Sequence, residues 1–243
     1  MTASTPIALV TGATRGIGLE TVRQLASAGV HTLLAGRDRG RAVEAALGLQ
    51  SQGLPVEAVV LDVTDADSIA AAARQVERRH GRLDILVNNA GIALDDWDKS
   101  PSQQPLEVWR RTFETNLFGL VEVTRAFLPL LRGSAAGRVV NVSSVLGSTT
   151  LQADPASTYY AVKVPAYNVS KTAVNAWTVQ LAYELRETAI KVNAIHPGNV
   201  RTDMNPGAEL DVAEGARTSV QLALVGPDGP NGGFFHQGET LPW

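Results

Sequence analysis

Short apolar runs alternate with longer amphipathic stretches along most of this 243-residue chain. Runs rich in β-branched and leucine side chains predict six strands, at 7–10, 31–35, 56–61, 85–88, 138–142 and 191–195. Helical periodicity between and after these runs predicts helices at 17–28, 39–51, 67–80, 106–131, 167–188 and 212–225. Alternating strands and helices are typical of a parallel sheet, and strands that are apolar throughout predict helices on both faces. We therefore expect one doubly wound α/β domain over residues 1–243, with about seven strands.

Two segments, 93–105 and 146–166, do not fit this alternation, and both are rich in Ser, Thr, Pro and Asp. Each follows a predicted strand, which places it at the carboxyl end of the sheet, where ligands bind in open α/β folds. Either segment is equally compatible with a surface loop that has no function.

Composition and charge exclude several kinds of site and ligand. The chain has no cysteine, which excludes disulfides, thiolate nucleophiles and cysteine metal sites, and we predict no metal site. The net charge of −3 comes from scattered groups without the basic stripe that nucleic-acid binding requires, so a small-molecule ligand is expected. No apolar run reaches the roughly eighteen residues of a membrane span, and the first residues lack a targeting pattern, so we expect a cytoplasmic protein.

A glycine-rich turn, Thr11-Gly12-Ala13-Thr14-Arg15-Gly16-Ile17-Gly18, joins the first strand to the first helix. Backbone N–H groups and the positive end of the helix dipole suit a pyrophosphate at this position. Gly12 would permit the tight turn, Gly16 would remove a Cβ from the approach path, and Gly18 would allow the helix to lie against the strand. The alternative is a glycine turn without a ligand.

The second strand ends in Gly36-Arg37 and carries no carboxylate at its tip. An acidic residue there would bind the 2′-hydroxyl of NAD, whereas arginines accommodate the 2′-phosphate of NADP. Arg37 and Arg15 are therefore candidates for this phosphate, although solvated surface arginines are an equal alternative.

The chain resembles the classical short-chain dehydrogenases/reductases from Leu9 to about Phe235. The resemblance is carried by 11–18, Asp62-Val63, Asn88-Asn89-Ala90-Gly91, Asn116, Asn141-Val142-Ser143-Ser144, Tyr167-Asn168-Val169-Ser170-Lys171 and Pro197-Gly198-Asn199-Val200-Arg201-Thr202. Gly36-Arg37 and the segment 229–235 look most like the carbonyl-reductase branch, which generally uses NADPH.

This resemblance implies a Rossmann-type fold and a set of cofactor contacts. The glycine turn would bind the phosphates, Arg37 the 2′-phosphate, and the polar ends of the third and fourth strands the adenosine. The implied cofactor-binding residues are Gly12, Arg15, Gly16, Ile17, Gly18, Arg37, Asp62, Val63, Asn88, Ala90, Gly91, Tyr167, Lys171, Pro197, Gly198, Val200 and Thr202. Taken without the other motifs, Asp62 and Asn88 would be ordinary turn residues.

Tyr167 and Lys171 are four residues apart, so on a helix they share one face. An ammonium and an oxidised nicotinamide near the phenol would both lower its pKa, which makes Tyr167 a general acid for reduction and a base for oxidation. Ser144 would hydrogen-bond the substrate oxygen. By resemblance, Asn116 would position a water that relays protons through Lys171.

We therefore predict NADPH-dependent reduction of a ketone or aldehyde to an alcohol. One alternative is a dehydrogenase of the same family acting on a specific steroid or polyketide-type alcohol, and another is a regulator that senses NADP(H) without turnover. Trp97, Val145, Leu146 and Met204 are candidates for lining a substrate pocket. His196 resembles a catalytic base but is interpreted as a loop residue.

The family pattern is broken between Ser144 and Tyr167, which are 23 residues apart, more than family members usually show. An insertion near 151–166 accounts for the difference, and it contains a second pair with the same offset, Tyr159 and Lys163. Spacing from Ser144 favours Tyr159, but Pro165 would end any helix that starts before it, so we assign the chemistry to Tyr167. Because the insertion could cover helices that commonly form the family's dimer interface, we predict a monomer.

Overall fold

A computed structural model describes residues 5–243. Its centre is one sheet in the order β3-β2-β1-β4-β5-β6-β7-β8, in which only β8 is antiparallel to its neighbour. The strands are β1 (Ile7–Val10), β2 (His31–Gly36), β3 (Val56–Val60), β4 (Ile85–Asn88), β5 (Arg138–Val142), β6 (Lys191–Ile195), β7 (Phe234–His236) and β8 (Glu239–Thr240). The sheet has eight strands where about seven were expected. Strand order reverses between β1 and β4, and this reversal opens a crevice at the carboxyl ends of the strands.

Eight α-helices accompany the sheet in the described residues. They are α1 (Gly16–Ser27), α2 (Arg39–Gln50), α3 (Ala66–His80), α4 (Leu106–Phe113), α5 (Gly119–Arg132), α6 (Thr149–Ala153), α7 (Pro165–Glu184) and α8 (Val212–Ala223). None of the helices over residues 5–243 is long and apolar enough to span a membrane.

The sheet has a separate core on each face, and successive strand residues alternate between the two. Leu9 and Leu33 join a cluster with Phe127 of α5, whereas Val10 and Leu34 join the opposite cluster. Helices α3, α5 and α7 cover the first face, and α1, α2 and α8 cover the second. This double burial is why the strands are mostly apolar, and it confirms the predicted doubly wound fold.

The helix predicted over 106–131 is interrupted, which corrects the sequence prediction. A π-helical turn at Glu114–Phe118 separates α4 from α5, and Asn116 lies within it. The Asn116 side chain pairs with the backbone of Ile92 in the loop after β4. π-Turns inside helices are rare and are frequently found at functional sites.

The helix predicted to begin at Tyr167 begins at Pro165, and it ends at Glu184 instead of 188. Proline is well suited to the first turn because its φ is already helical and its missing N–H has no intrahelical partner there. The same residue that ends the preceding segment therefore starts α7.

The insertion folds onto the start of α7. It contains the end of α6 and the turns that follow, and the Gln152 side chain connects these turns to α7 by hydrogen bonds. The Gln152 side chain donates to the Tyr159 carbonyl oxygen at 3.1 Å, and its Oε1 accepts from Lys163 at 2.9 Å and from Asn168 of α7 at 3.3 Å.

Candidate active site

The glycine turn lies where β1 meets α1, at the crevice between β1 and β4. Gly12 and Gly16 have φ angles of 61° and 55°, in the left-handed region that L side chains rarely adopt. A Cβ on Gly18 would lie 2.5 Å from the Asn89 amide nitrogen and 2.7 Å from the Gly12 carbonyl oxygen. Gly12 and Gly16 are therefore required by their backbone conformation, and Gly18 is required by its close contacts.

The N-terminus of α1 is left open for an anion. Its first turn contains no acidic residue, and the Arg15 side chain makes no capping hydrogen bond. The first N–H groups of a helix have no intrahelical partner, so they are available to an anionic group.

Asn89, which the sequence analysis quoted only as part of a motif, fixes this turn. Its side-chain amide donates to the carbonyl oxygens of Thr11 at 2.8 Å and Gly12 at 3.2 Å. The Thr11 hydroxyl in turn accepts from the backbone N–H groups of Asn89 and Ala90 at 3.0 and 3.1 Å. Position directly after β4 was the signal that could have identified Asn89 as a support for the turn.

The two candidate arginines differ in their contacts. Arg15, whose side chain is 70% exposed, pairs with Asp203 at 2.5 Å, so it leans toward the loop after Thr202. Arg37 is exposed directly after β2. The neighbouring Gly36 lies so close to Thr14 that a Cβ there would be 2.5 Å from the threonine methyl carbon. The end of β2 is therefore held against the glycine turn, with Arg37 on its rim.

At the ends of β3 and β4, the candidate adenosine contacts are engaged with the protein itself. The Asp62 carboxylate accepts from the backbone N–H and the hydroxyl of Thr64 at 3.0 and 2.8 Å. The buried Asn88 amide donates to Thr124 and Asn141 at 2.9 Å. The Asn88 amide thus joins β4 to β5 and α5, and its carboxamide oxygen has no hydrogen-bond partner among the described residues.

Ser144, Tyr167 and Lys171 come together where β5 ends against α7. Ser144 caps the short 3-10 helix Val145–Gly147, and its hydroxyl approaches the Tyr167 phenol closely enough to lower the phenol's pKa. The Lys171 ammonium is 5.6 Å from the centre of the Tyr167 ring. A Cβ on Gly147 would lie 2.7 Å from the Lys171 backbone, so the turn after Ser144 packs directly against the helix.

The protein environment raises the pKa of Tyr167 through burial, and the hydrogen bond to Ser144 opposes this shift. Burial lowers the pKa of Lys171 to about 8. Its ammonium donates to the carbonyl oxygen of Val142 at 2.8 Å. In the protein by itself the phenol is therefore harder to ionise than a free tyrosine, contrary to the sequence expectation, and the bound cofactor's charge is the remaining source of a lower pKa.

Asn116 lies near Lys171 without touching it. Its carboxamide oxygen and amide pair with the N–H and carbonyl of Ile92 at 2.8 and 2.9 Å, and the amide also donates to Ser170 at 3.0 Å. Gly91 lies between the two side chains, and a Cβ there would be 3.4 Å from both Asn116 Oδ1 and Lys171 Nζ. The structure thus brings Asn116, Gly91 and Lys171 to one place, with the asparagine holding the loop after β4.

Asp95 was missed by the sequence analysis. This buried residue of the loop after β4 accepts hydrogen bonds from the backbone N–H groups of Ala166 at 2.7 Å and Tyr167 at 3.0 Å. Both N–H groups belong to the first turn of α7, which Val164 does not cap. Asp95 therefore supplies the N-terminal cap of the helix that carries Tyr167, from 71 residues earlier in the chain.

The segment that contains Pro197, Gly198, Val200 and Thr202 lies over the glycine turn. Gly198 has a φ of 97°, and the Thr202 methyl carbon would be 3.6 Å from a Cβ on Gly16. Thr202 is therefore placed across from the open end of α1, on the opposite side of the crevice.

His196 lies just before this segment and is buried against His236, with ring centres 4.8 Å apart. Burial, aided by His236, lowers its pKa to about 3, so the imidazole is neutral at ordinary pH. It has no contact with Tyr167 or Ser144 among the described hydrogen bonds, which fits the interpretation as a loop residue.

The four candidate pocket residues are placed differently. Trp97 and Met204 are 76% and 51% exposed, whereas Val145 is buried. Leu146 lines a cleft of about 260 Å³ between the insertion and α7, together with Gln152, Lys163, Asn168 and Val169. Of the four, only Leu146 lies at a described cavity near the insertion.

Comparison with known proteins agrees with this geometry. The chain matches the short chain dehydrogenase family over residues 6–212. The short-chain dehydrogenase anuI of Penicillium roqueforti is 40% identical over 228 residues, covering 91% of this chain and 89% of the relative. Carbonyl reductase [NADPH] 1 of Mus musculus is 36% identical over 282 aligned positions, covering 100% of both chains.

Among solved structures, the NADPH-bound carbonyl reductase from chicken fatty liver superposes with a TM-score of 0.86 and 30% identity, covering 98% of this chain and 99% of that one. Both the sequence and the fold are thus shared over nearly the whole length. The chain therefore belongs to the short-chain dehydrogenase/reductase family.

Proposed function

We propose that this protein is an NADPH-dependent carbonyl reductase, in which Tyr167 donates the proton. The observation that carries this proposal is the convergence of Tyr167 and Lys171, which lie four residues apart on α7, with Ser144 at the end of β5. The chemistry named for the mouse and chicken relatives supports both the cofactor and the reaction class.

The residues present fit a dinucleotide phosphate. Gly12 and Gly16 turn the backbone away from the crevice, and the uncapped first turn of α1 offers N–H donors to a pyrophosphate. Thr202 faces the turn from the other side, in position for the nicotinamide end. Arg37 at the rim is assigned to the 2′-phosphate.

When bound, NADPH supplies a hydride to the carbonyl carbon. The protein supplies the proton: Tyr167 Oη transfers it to the carbonyl oxygen, which Ser144 holds by a hydrogen bond. Because burial raises the pKa of Tyr167, the residue is a neutral phenol at pH 7, as reduction requires. Lys171 stabilises the resulting phenolate until solvent returns the proton, and Asn116 keeps the loop after β4 in place beside it.

The proposal is tested with a panel of aldehydes, ketones and quinones, by following NADPH absorbance and identifying the product alcohols. We expect turnover of at least one class with NADPH, and a lower kcat/KM with NADH. Tight NADPH binding without turnover of any member would favour the NADP(H)-sensing alternative.

Cofactor choice is tested by Arg37→Asp. A hydrogen bond to a charged group contributes about 1.5–3 kcal/mol, so this change should reduce the preference for NADPH over NADH by roughly ten- to a hundredfold. Arg74→Asp, the same charge change on an exposed position of α3, serves as the control and should leave the preference intact. An unchanged preference in Arg37→Asp would remove this residue from the phosphate site.

The monomer hypothesis stays a prediction. The contact of Asn168 with the insertion supports it, because the insertion then covers the start of α7. Val169, Val179 and Tyr183 on the same helix are exposed, and they form the surface that a dimer would use. Light scattering at micromolar protein should give the mass of one chain, and a stable dimer or tetramer would end the hypothesis.

A further inference from the structure

Two histidines and a glutamate converge at the end of the sheet opposite the candidate active site. His31 is the first residue of β2, Glu57 lies near the start of β3, and His80 is the last residue of α3. One ligand atom from each of the three lies within 4.8 Å of the other two. Glu57 Oε2 is 3.8 Å from His31 Nε2 and 3.5 Å from His80 Nε2.

The two imidazole nitrogens that face the carboxylate have no hydrogen-bond partner in the described structure. His31 Nε2 and His80 Nε2 are both shielded from solvent, and neither is satisfied by a protein group. Leaving a buried polar atom unpaired is costly and uncommon, so two such atoms aimed at one carboxylate oxygen indicate a missing ligand.

Neighbouring side chains orient the glutamate. Arg79 forms an ion pair with Glu57 Oε1, and Gln75 approaches the same oxygen at 3.5 Å. The other oxygen, Oε2, is thereby left to face the two histidines. The Arg79 charge also opposes a cation at the site, so we expect an affinity below that of a dedicated metalloenzyme centre.

We propose that His31, Glu57 and His80 bind a divalent transition metal, with Zn²⁺ as the metal that the ligand set fits best. Two imidazole nitrogens and one carboxylate oxygen are ordinary zinc ligands, with bond lengths of about 2.0–2.2 Å, and a water completes the tetrahedron. Tetrahedral bonds of this length place ligand atoms about 3.3–3.6 Å apart. The Glu57 distances are close to this range, and side-chain rotations would close the site from a starting separation of at most 4.8 Å.

The metal would join the end of α3 to the edge strand β3 and to its neighbour β2. Because the active-site residues lie at the carboxyl ends of the strands and His31 lies at an amino end, the bound metal stabilises the fold without touching the reacting groups. A ligand that binds only the native state stabilises it by an amount that rises with the logarithm of ligand concentration above Kd.

The experiment uses untagged full-length protein stripped with a chelator, titrated with Zn²⁺ by calorimetry and followed by thermal unfolding. We expect one Zn²⁺ per chain and, at a hundredfold excess over Kd, a Tm rise of about 5–10 °C. Co²⁺ should give the visible absorption of a tetrahedral site. Absence of stoichiometric binding at about 100 μM Zn²⁺ would overturn the proposal.

Substitutions of the proposed ligands test which side chains bind Zn²⁺. His80→Asn and Glu57→Gln should each weaken Zn²⁺ binding at least tenfold and reduce the Tm rise at the same Zn²⁺ concentration to about half or less. Circular dichroism without metal checks that each variant folds. His236→Asn changes a histidine on the other side of the molecule and should bind Zn²⁺ as the unmodified chain does. Zn²⁺ affinity in Glu57→Gln or His80→Asn equal to that of the unmodified chain, or loss of binding in His236→Asn, would refute this assignment.

Discussion

The chain contains two tyrosine–lysine pairs with the same four-residue offset, and the structure treats them differently. Tyr167 and Lys171 lie on α7, where the lysine is buried and the tyrosine phenol faces Ser144. Tyr159 and Lys163 lie in the turns of the insertion, where Lys163 bonds to Gln152 and lies over the ring of Tyr160.

The two pairs differ in how firmly the surrounding structure holds their backbone. The backbone of α7 is fixed at its start by Pro165 and Asp95, and along its length by Gly147 and the core. The insertion pair has no helix to fix the distance between its side chains. A four-residue offset is therefore informative only on a rigid element that also brings a third group, here Ser144.

Replacing each tyrosine with phenylalanine should produce the largest difference between the two pairs. Removing a general acid typically costs 10²–10⁴-fold in rate, so Tyr167→Phe should reduce kcat by at least about a hundredfold while NADPH still binds. Tyr159→Phe should keep at least roughly a tenth of the activity, because Tyr159 lies in a turn of the insertion and not on the helix that packs against the turn after Ser144. Steady-state kcat with one accepted ketone measures both, and the reverse ranking would move the catalytic role to Tyr159.

The lysines should differ in their pH dependence. Lys171, whose pKa is lowered to about 8, loses its charge as the pH rises through that value, so kcat/KM for reduction should fall above about pH 8. The slope should approach tenfold per pH unit, as for a single titrating group. Lys163→Ala should keep this profile, whereas Lys171→Ala should be slow at every pH. A profile that is flat across pH 7–9 in the unmodified enzyme would contradict the role of Lys171.

Asp95 separates the two pairs experimentally, because it holds the start of α7, which carries Tyr167, and makes no such contact with the backbone of Tyr159 among the hydrogen bonds of residues 5–243. Asp95→Ala leaves two N–H groups of α7 without a partner, at a cost of about 1–3 kcal/mol each in the free energy of unfolding. We expect kcat to fall about three- to tenfold with the Kd of NADPH unchanged, and Asp95→Asn to recover part of the loss, because it keeps one acceptor oxygen.

Asp96→Ala is the matched control for this prediction, because Asp96 is adjacent but partly exposed and paired with Lys99 at the surface. It should leave kcat close to that of the unmodified enzyme. A similar loss of kcat in both variants would mean that the loop matters as a whole and that Asp95 has no special effect on Tyr167.

Much of the fold could be predicted because it depends on patterns within short stretches of sequence. Strands buried on both faces appear as apolar runs, and the glycine turn is recognisable from its position between β1 and α1. The short strands β7 and β8 were not assigned from the apolar pattern, because their three and two residues are held mainly by pairing with β6 and with each other.

What could not be predicted depends on contacts between distant residues. The π-turn follows from the pairing of Asn116 with Ile92, which are 24 residues apart, and Asp95 caps a helix 71 residues away. The metal-site residues come from three elements and share no spacing that predicts a site. The pKa shift of Tyr167 likewise depends on burial in the folded chain, so spacing to Lys171 predicted its direction wrongly for the protein alone.

A single-turnover reaction with NADPH that carries deuterium at both C4 positions tests the roles of cofactor and tyrosine together. The unmodified enzyme and Tyr159→Phe should produce an alcohol that carries deuterium on the former carbonyl carbon, as determined by mass spectrometry. Tyr167→Phe should bind the labelled NADPH and form product at a rate lower by about a hundredfold or more. An alcohol without deuterium, or an unchanged rate in Tyr167→Phe, would contradict carbonyl reduction by NADPH and Tyr167.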